Sequence, residues 1–190
     1  ELKQSKYLYV EGYLVTSDTS RAAVLAARKV AKQHGVKMAM TFSDPSMATY
    51  FKSGLVEMLG EGVDVLFCNE EEAFAFTGQT TLPAAIQALK PLTHKLVITL
   101  GSEGALVVNA DSEVKIAAQK VKPLDTNGAG DMFAGAFLYG LTQGLSDAQA
   151  GDLASKAAAQ IIQVYGARLT KQVHQDLLKT IWHTGISAVW

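Results

Sequence analysis

The stretch Val63-Asp64-Val65-Leu66-Phe67-Cys68-Asn69-Glu70-Glu71-Glu72 (VDVLFCNEEE) decides the fold. Its short apolar run reads as a strand over 63–68, and the three acids behind it suit the first turn of a helix from about Glu70. The same rhythm extends both ways. Upstream, 7–15 (YLYVEGYLV) and 36–42 (VKMAMTF) read as strands, with helices over 20–33 and 46–59. "SDTS" at 17–20 supplies N-cap residues for the first of these helices, and Gly35 supplies its stop. Downstream, a helix over 83–90 leads into a strand over 95–100 (KLVITL). Strands alternating with helices of this length predict βαβ units, hence an α/β fold with a mostly parallel sheet flanked by helices on both faces. After Gly101 the runs 104–109 and 113–118, separated by "ADS", predict an antiparallel pair at the sheet edge. Helices are predicted over 128–143, 147–164 and about 171–183, with Ser146 and Gln149 as a capping box for the second. No repeat, linker or boundary interrupts the pattern, so residues 1–190 read as a single domain.

Composition narrows the function classes. The chain has 190 residues, 48% of them hydrophobic, with 17 Lys and Arg against 18 Asp and Glu and a net charge of -1. That balance argues against a broad nucleic-acid-binding face. No apolar run approaches the ~18 residues of a membrane span, and the first residues do not read as a signal peptide. The single cysteine, Cys68, leaves no internal disulfide framework and fits a reducing cytoplasm; at the end of an apolar run it reads as a buried structural thiol. His34, His94, His174 and His183 show no metal-ligand spacing.

Open α/β sheets bind ligands beyond the carboxyl ends of their strands. The unusual residues collect there: "SDP" after the second strand, "CNEEE" after the third and "LGSEG" after the fourth. The most distinctive segment lies further on, at 125–135 (DTNGAGDMFAG). Gly128, Ala129 and Gly130 expose successive backbone N–H groups where a helix begins, an arrangement that favours a phosphate or a phosphoryl group in flight. Asp131 sits in the first helical turn, where the positive helix end favours its ionised, proton-accepting form. Phe133 and Phe137 are expected in the core, and Gly135 is expected to let another backbone pack closely. The glycine spacing is not that of the dinucleotide fingerprint G-x-G-x-x-G, and there is no P-loop motif.

The segment DTNGAGDMFAGAFLYG resembles the C-terminal signature of the ribokinase-like (PfkB) kinases, which transfer the ATP γ-phosphoryl group to a sugar or nucleoside hydroxyl. Two further motifs occur in family order: Asn69-Glu70-Glu71-Glu72 matches N-x-x-E, and Thr99-Leu100-Gly101-Ser102-Glu103-Gly104 matches T-x-G-x-x-G. The resemblance implies that Asp131 is the general base and that Gly128, Ala129 and Gly130 form an anion hole. It implies that Glu72, through water and with Asn69, organises Mg²⁺. Thr99, Gly101, Ser102 and Gly104 would line the ATP path. Asp125, the Asn127 carbonyl and the backbone near Gly166 resemble a monovalent-cation site, for an ion such as K⁺. Read alone, Glu70–Glu72 equally suit a plain helix N-terminus, and "TLGSEG" a plain strand-to-turn signal.

The family's N-terminal strands and β lid have no counterpart in this sequence. The chain, which starts at Glu1 without a methionine, is therefore expected to be the C-terminal portion of a longer kinase. "TFSDPSM" and Asn127 lean toward the adenosine-kinase branch, with a carbohydrate kinase the other candidate. The expected partners are a small sugar or nucleoside acceptor and a second copy in a homodimer. The rival reading is a non-catalytic nucleotide-sensing or oligomerisation module that retains the fold.

Overall fold

A computed structural model describes residues 1–182, which divide into two compact units. The first comprises 1–99 and 108–113; the second comprises 100–107 and the chain from 114 onward.

The first unit is built on four parallel strands in the order β1 (Tyr7–Glu11), β2 (Lys37–Thr41), β3 (Val63–Asn69) and β4 (Thr93–Thr99). Tyr7 pairs with Lys37, Ala39 with Val65, and Val63 with Thr93. Met38, Ala39 and Met40 are buried in succession, as are Val65 through Cys68. Strands with no alternation of burial are covered on both faces, as parallel sheets are. The crossovers are α1 (Asp18–His34), α2 (Pro45–Tyr50), α3 (Lys52–Leu59), α4 (Glu70–Thr77) and α5 (Leu82–Leu89). Ser17 caps α1 by accepting from the Ser20 N–H at 3.4 Å, and Gly35 ends it at φ 67°. Phe42 and Phe76 stack with ring centroids 4.4 Å apart in the core.

Two expectations are corrected here. The strand read over 7–15 stops at Glu11, and 12–16 turn into a 3₁₀ helix. A Cβ on Gly12 would lie 2.2 Å from the Phe42 carbonyl oxygen, and its N–H donates to Ser43 Oγ at 2.8 Å. The backbone leaves the sheet to pass the end of β2, a contact invisible in a local pattern. The helix read over 46–59 is likewise two helices, broken at Phe51. The break brings α3 against the 12–16 turn: a Cβ on Gly54 would lie 2.4 Å from Val15 Cγ2.

β5 (Ala105–Val108) and β6 (Glu113–Ile116), most of whose residues belong to the second unit, are neighbours. The connection between them is short enough to allow only an antiparallel return, and the Asn109 N–H closes it on the Ser112 carbonyl at 2.9 Å. Three helices follow: α6 (Ala129–Thr142), α7 (Asp147–Ile161) and α8 (Lys171–Trp182). The expected Ser146–Gln149 capping box is present on α7. Phe133 and Phe137 are buried, with their rings stacked at 6.4 Å. Gly135, however, does not admit a neighbouring backbone, since a Cβ there would meet nothing within 4 Å. Gly140 has that role: a Cβ there would come within 2.9 Å of Ala150 Cβ, which lets α6 and α7 approach. Among the described residues, no helix is long and apolar enough to cross a membrane.

Candidate active site

In the first unit the carboxyl ends of β3 and β4 place Asn69 directly beside Thr99. Two residues of separate sequence motifs are thus neighbours. Asn69 also caps α4 through a reciprocal box: its Oδ1 accepts from the Glu72 N–H at 2.8 Å, and Glu72 Oε2 accepts from the Asn69 N–H at 3.1 Å. A third bond runs from Asn69 Nδ2 to Glu72 Oε1 at 2.9 Å. The N-x-x-E spacing carried this signal, since it is the spacing of any capping box, yet the sequence reading assigned it only to a metal or to helix-end charge.

Glu72 is 5% exposed. Burial is the main cause that raises its pKa to about 7; the Asn69 N–H opposes this, while Asp44 and Glu71 push the same way. Asp44 caps α2, accepting from the Ser46 N–H at 2.8 Å and from the Ser46 hydroxyl, and these bonds hold its carboxyl below the usual range. The carboxyl ends of β2 and β3 therefore carry mutually repelling, oxygen-rich groups. Such a corner fits a hard divalent cation. Because both Glu72 oxygens already accept hydrogen bonds, contact through the ion's water fits better than direct ligation.

The second unit holds the glycine turns. Leu100 donates to the Gly104 carbonyl at 2.8 Å around a 3₁₀ turn over Gly101–Glu103. Gly101 sits at φ 57° with open space where a Cβ would be. Gly104 differs: at φ 97°, its Cβ would lie 1.9 Å from the Ile116 carbonyl oxygen. The last glycine of that motif makes room for β6. Ser102 is exposed in the same turn.

Gly128, at φ 77°, is the N-cap of α6 and brings no side chain to the first N–H groups of the helix. Ala129 donates to the Thr126 carbonyl at 3.2 Å. A Cβ on Gly130 would meet nothing within 4 Å, so the side-chain side of that residue is open. Asp131 stands exposed in the first turn.

Asp125 holds this cap in place. Its Oδ1 accepts from the Asn127 N–H at 3.0 Å and its Oδ2 from the Gly166 N–H at 3.0 Å, and the two bonds lower its pKa. Gly166 has φ 87°, and a Cβ on Gly128 would lie 2.8 Å from Ala167 Cβ. Asp125, Asn127 and Gly166 are thereby brought together as a clamp behind the cap. Among the described residues, no group of three or more His, Cys, Asp or Glu side chains could hold a metal ion. An ion here would depend on backbone oxygens or on a ligand's own phosphates.

The sequence reading missed a cavity of about 390 Å³ beside the cap, lined by Asp131, Gly135, Tyr139, Leu153, His174 and Leu177. Asp131, Gly135 and Tyr139 recur every fourth residue, so one side of it was legible as a helix face. The α7 and α8 contributions were not.

The description "pfkB family carbohydrate kinase" matches residues 1–173. The chain is 34% identical over 144 residues to a ribokinase of Lactococcus lactis, covering 76% of this chain and 45% of that protein. It is 32% identical over 179 residues to an adenosine kinase of Schizophyllum commune, covering 83% and 51%. The solved adenosine kinase of Sinorhizobium meliloti superposes with a TM-score of 0.89 at 31% identity, covering 94% of this chain and 55% of that one. The chain spans about half the length of the curated relatives it matches. Near-equal identity to a ribokinase and an adenosine kinase does not favour either branch. The comparisons and the described fold agree that the chain belongs to the pfkB family of carbohydrate kinases.

Proposed function

We propose that this chain serves ATP-dependent phosphoryl transfer to a hydroxyl of a small sugar or nucleoside. The observation that carries the reading is the Gly128 cap of α6, with Asp131 in the first helical turn and Asp125 bracing the loop behind it. Asp131 takes the acceptor's proton on its carboxylate as the oxygen–phosphorus bond forms and the bond to the leaving ADP breaks. Gly128, Ala129 and Gly130 present the positive end of α6 to the charge on the phosphoryl oxygens. Thr99, Gly101 and Ser102 line the nucleotide's path, and Gly104 shapes the turn by making room for β6. Asn69 and Glu72 hold the water shell of Mg²⁺, an ion that spreads phosphate charge when bound. Asp125, the Asn127 carbonyl and Gly166 are the residues for a monovalent cation such as K⁺, and the assembly proposed is a homodimer.

The test measures ADP formation against adenosine and ribose by the full-length protein that contains this chain, as wild type and as Asp131→Asn. The variant should bind ATP normally and turn over ~10²–10⁴-fold more slowly, the usual share of a general base. Unchanged turnover would remove Asp131 from the chemistry. A full-length wild type that binds ATP and phosphorylates neither acceptor would favour the non-catalytic, nucleotide-sensing reading.

A further inference from the structure

A second cavity, also of about 390 Å³, opens in the first unit at the amino ends of β2, β3 and β4. Asn69 and Thr99 close the opposite, carboxyl ends of β3 and β4. Seven-residue strands separate the two ends by about 20 Å at ~3.3 Å per residue. Its titratable lining consists of Arg28, Lys32 and Lys90, with Glu61, Asp64 and His94.

The basic groups are partly pre-organised. Arg28 Nη1 donates to the Met58 carbonyl at 3.3 Å and Nη2 to the Gly62 carbonyl at 2.9 Å, which fixes the guanidinium and leaves further N–H groups to spare. Partial burial lowers its pKa, a sign of a desolvated cation, and Glu61 offsets this. Lys90 Nζ spends one donor on the Ala110 carbonyl at 3.1 Å. The acids are less available than they look. Asp64 Oδ2 already accepts from the Met38 N–H at 2.7 Å. Glu61 pairs with Lys32, but both side chains are exposed, at 80% and 71%. Exposed pairs contribute little, so a dianion can take the place of Glu61 at Lys32. Val36, Met38 and Pro91 supply apolar surface for a short carbon skeleton. The volume lies within the range of small-ligand sites.

We propose that this cavity binds a small phosphate monoester, its phosphate on Arg28, Lys32 and Lys90 and its carbon skeleton on the apolar surface. The inference does not depend on the proposed kinase chemistry, because the site lies at the other end of the strands.

The test titrates the chain with glycerol 3-phosphate and with inorganic phosphate, following amide proton–nitrogen correlation spectra. Amides of 28, 61–64 and 90–94 should shift saturably with glycerol 3-phosphate, more tightly than with inorganic phosphate. Lys32→Met and Lys90→Met should each weaken that response about tenfold, the worth of one charge-assisted contact. Responses at 126–131, where the α6 cap also attracts phosphate, should be unaffected. Arg28→Gln should abolish binding; because it also loosens the 58–62 turn, its melting curve is recorded and the two lysine variants decide. Shifts confined to 126–131, or affinities unchanged in both lysine variants, would overturn the site. Equal affinity for both probes would overturn the monoester assignment.

Discussion

Glu72 answers two demands with one carboxylate. It closes the capping box of α4, and it stands buried beside Asp44 and Glu71 with its pKa raised to about 7 from an ordinary 4.5. A carboxyl whose folded-state pKa exceeds its unfolded value holds more protons when folded. Its contribution to stability is therefore full below about pH 4.5 and is lost as the pH rises through about 7. Glu72→Gln keeps an acceptor for the Asn69 N–H and removes the titration. Between pH 5 and 8 the variant's melting temperature should fall less steeply than the wild type's, so that it gains relative stability at the alkaline end. Parallel melting curves across that range would show that the carboxyl is not shifted. The sequence marked this residue but not its two roles. The N-x-x-E spacing is local and legible, whereas the raised pKa comes first from burial in the folded core and then from Asp44, on a segment 28 positions earlier.

Among the elements, boundaries that rest on local chemistry were legible and those that rest on distant contacts were not. Ser17 and Gly35 delimit α1, and Ser146 opens α7, because caps use neighbours in sequence. The end of β1 depends on Gly12 meeting the Phe42 carbonyl, and the approach of α6 to α7 depends on Gly140 meeting Ala150. The first was read as more strand, and the second was credited to Gly135. Gly104 is the sharpest case. Its motif suggested room for a nucleotide, but its own hairpin fills the space. Gly104→Ala combines a positive φ of 97° with a Cβ 1.9 Å from the Ile116 oxygen. It should destabilise the chain by roughly 1–3 kcal/mol, the cost of such backbone strain. Urea unfolding measures it, and a midpoint equal to wild type would mean that β6 gives way freely. Gly101→Ala, with φ 57° but open space, should cost less.

For the whole molecule, the α/β class was legible because alternation of strand and helix is written into every 30 or so residues. The division into two units was not, since their membership alternates along the chain at 99–100, 107–108 and 113–114. The balanced charge has its own consequence. With a net charge of -1 at pH 7, the chain crosses neutrality slightly below that pH. Its solubility should pass through a minimum between about pH 6 and 7, where self-repulsion vanishes; turbidity across pH 5–9 checks this. A monotonic curve would point to a charge distribution that the totals conceal. Cys68 adds a different kind of access to the whole molecule. It is the sole thiol, buried in β3, and burial together with the Glu72 carboxylate pushes its pKa well up. Alkylation of the native protein should therefore proceed only through opening of the strand that ends at Asn69. The labelling rate becomes a clock for that opening, and saturating ATP, if it engages the end of β3, should slow the clock without touching the sulfur.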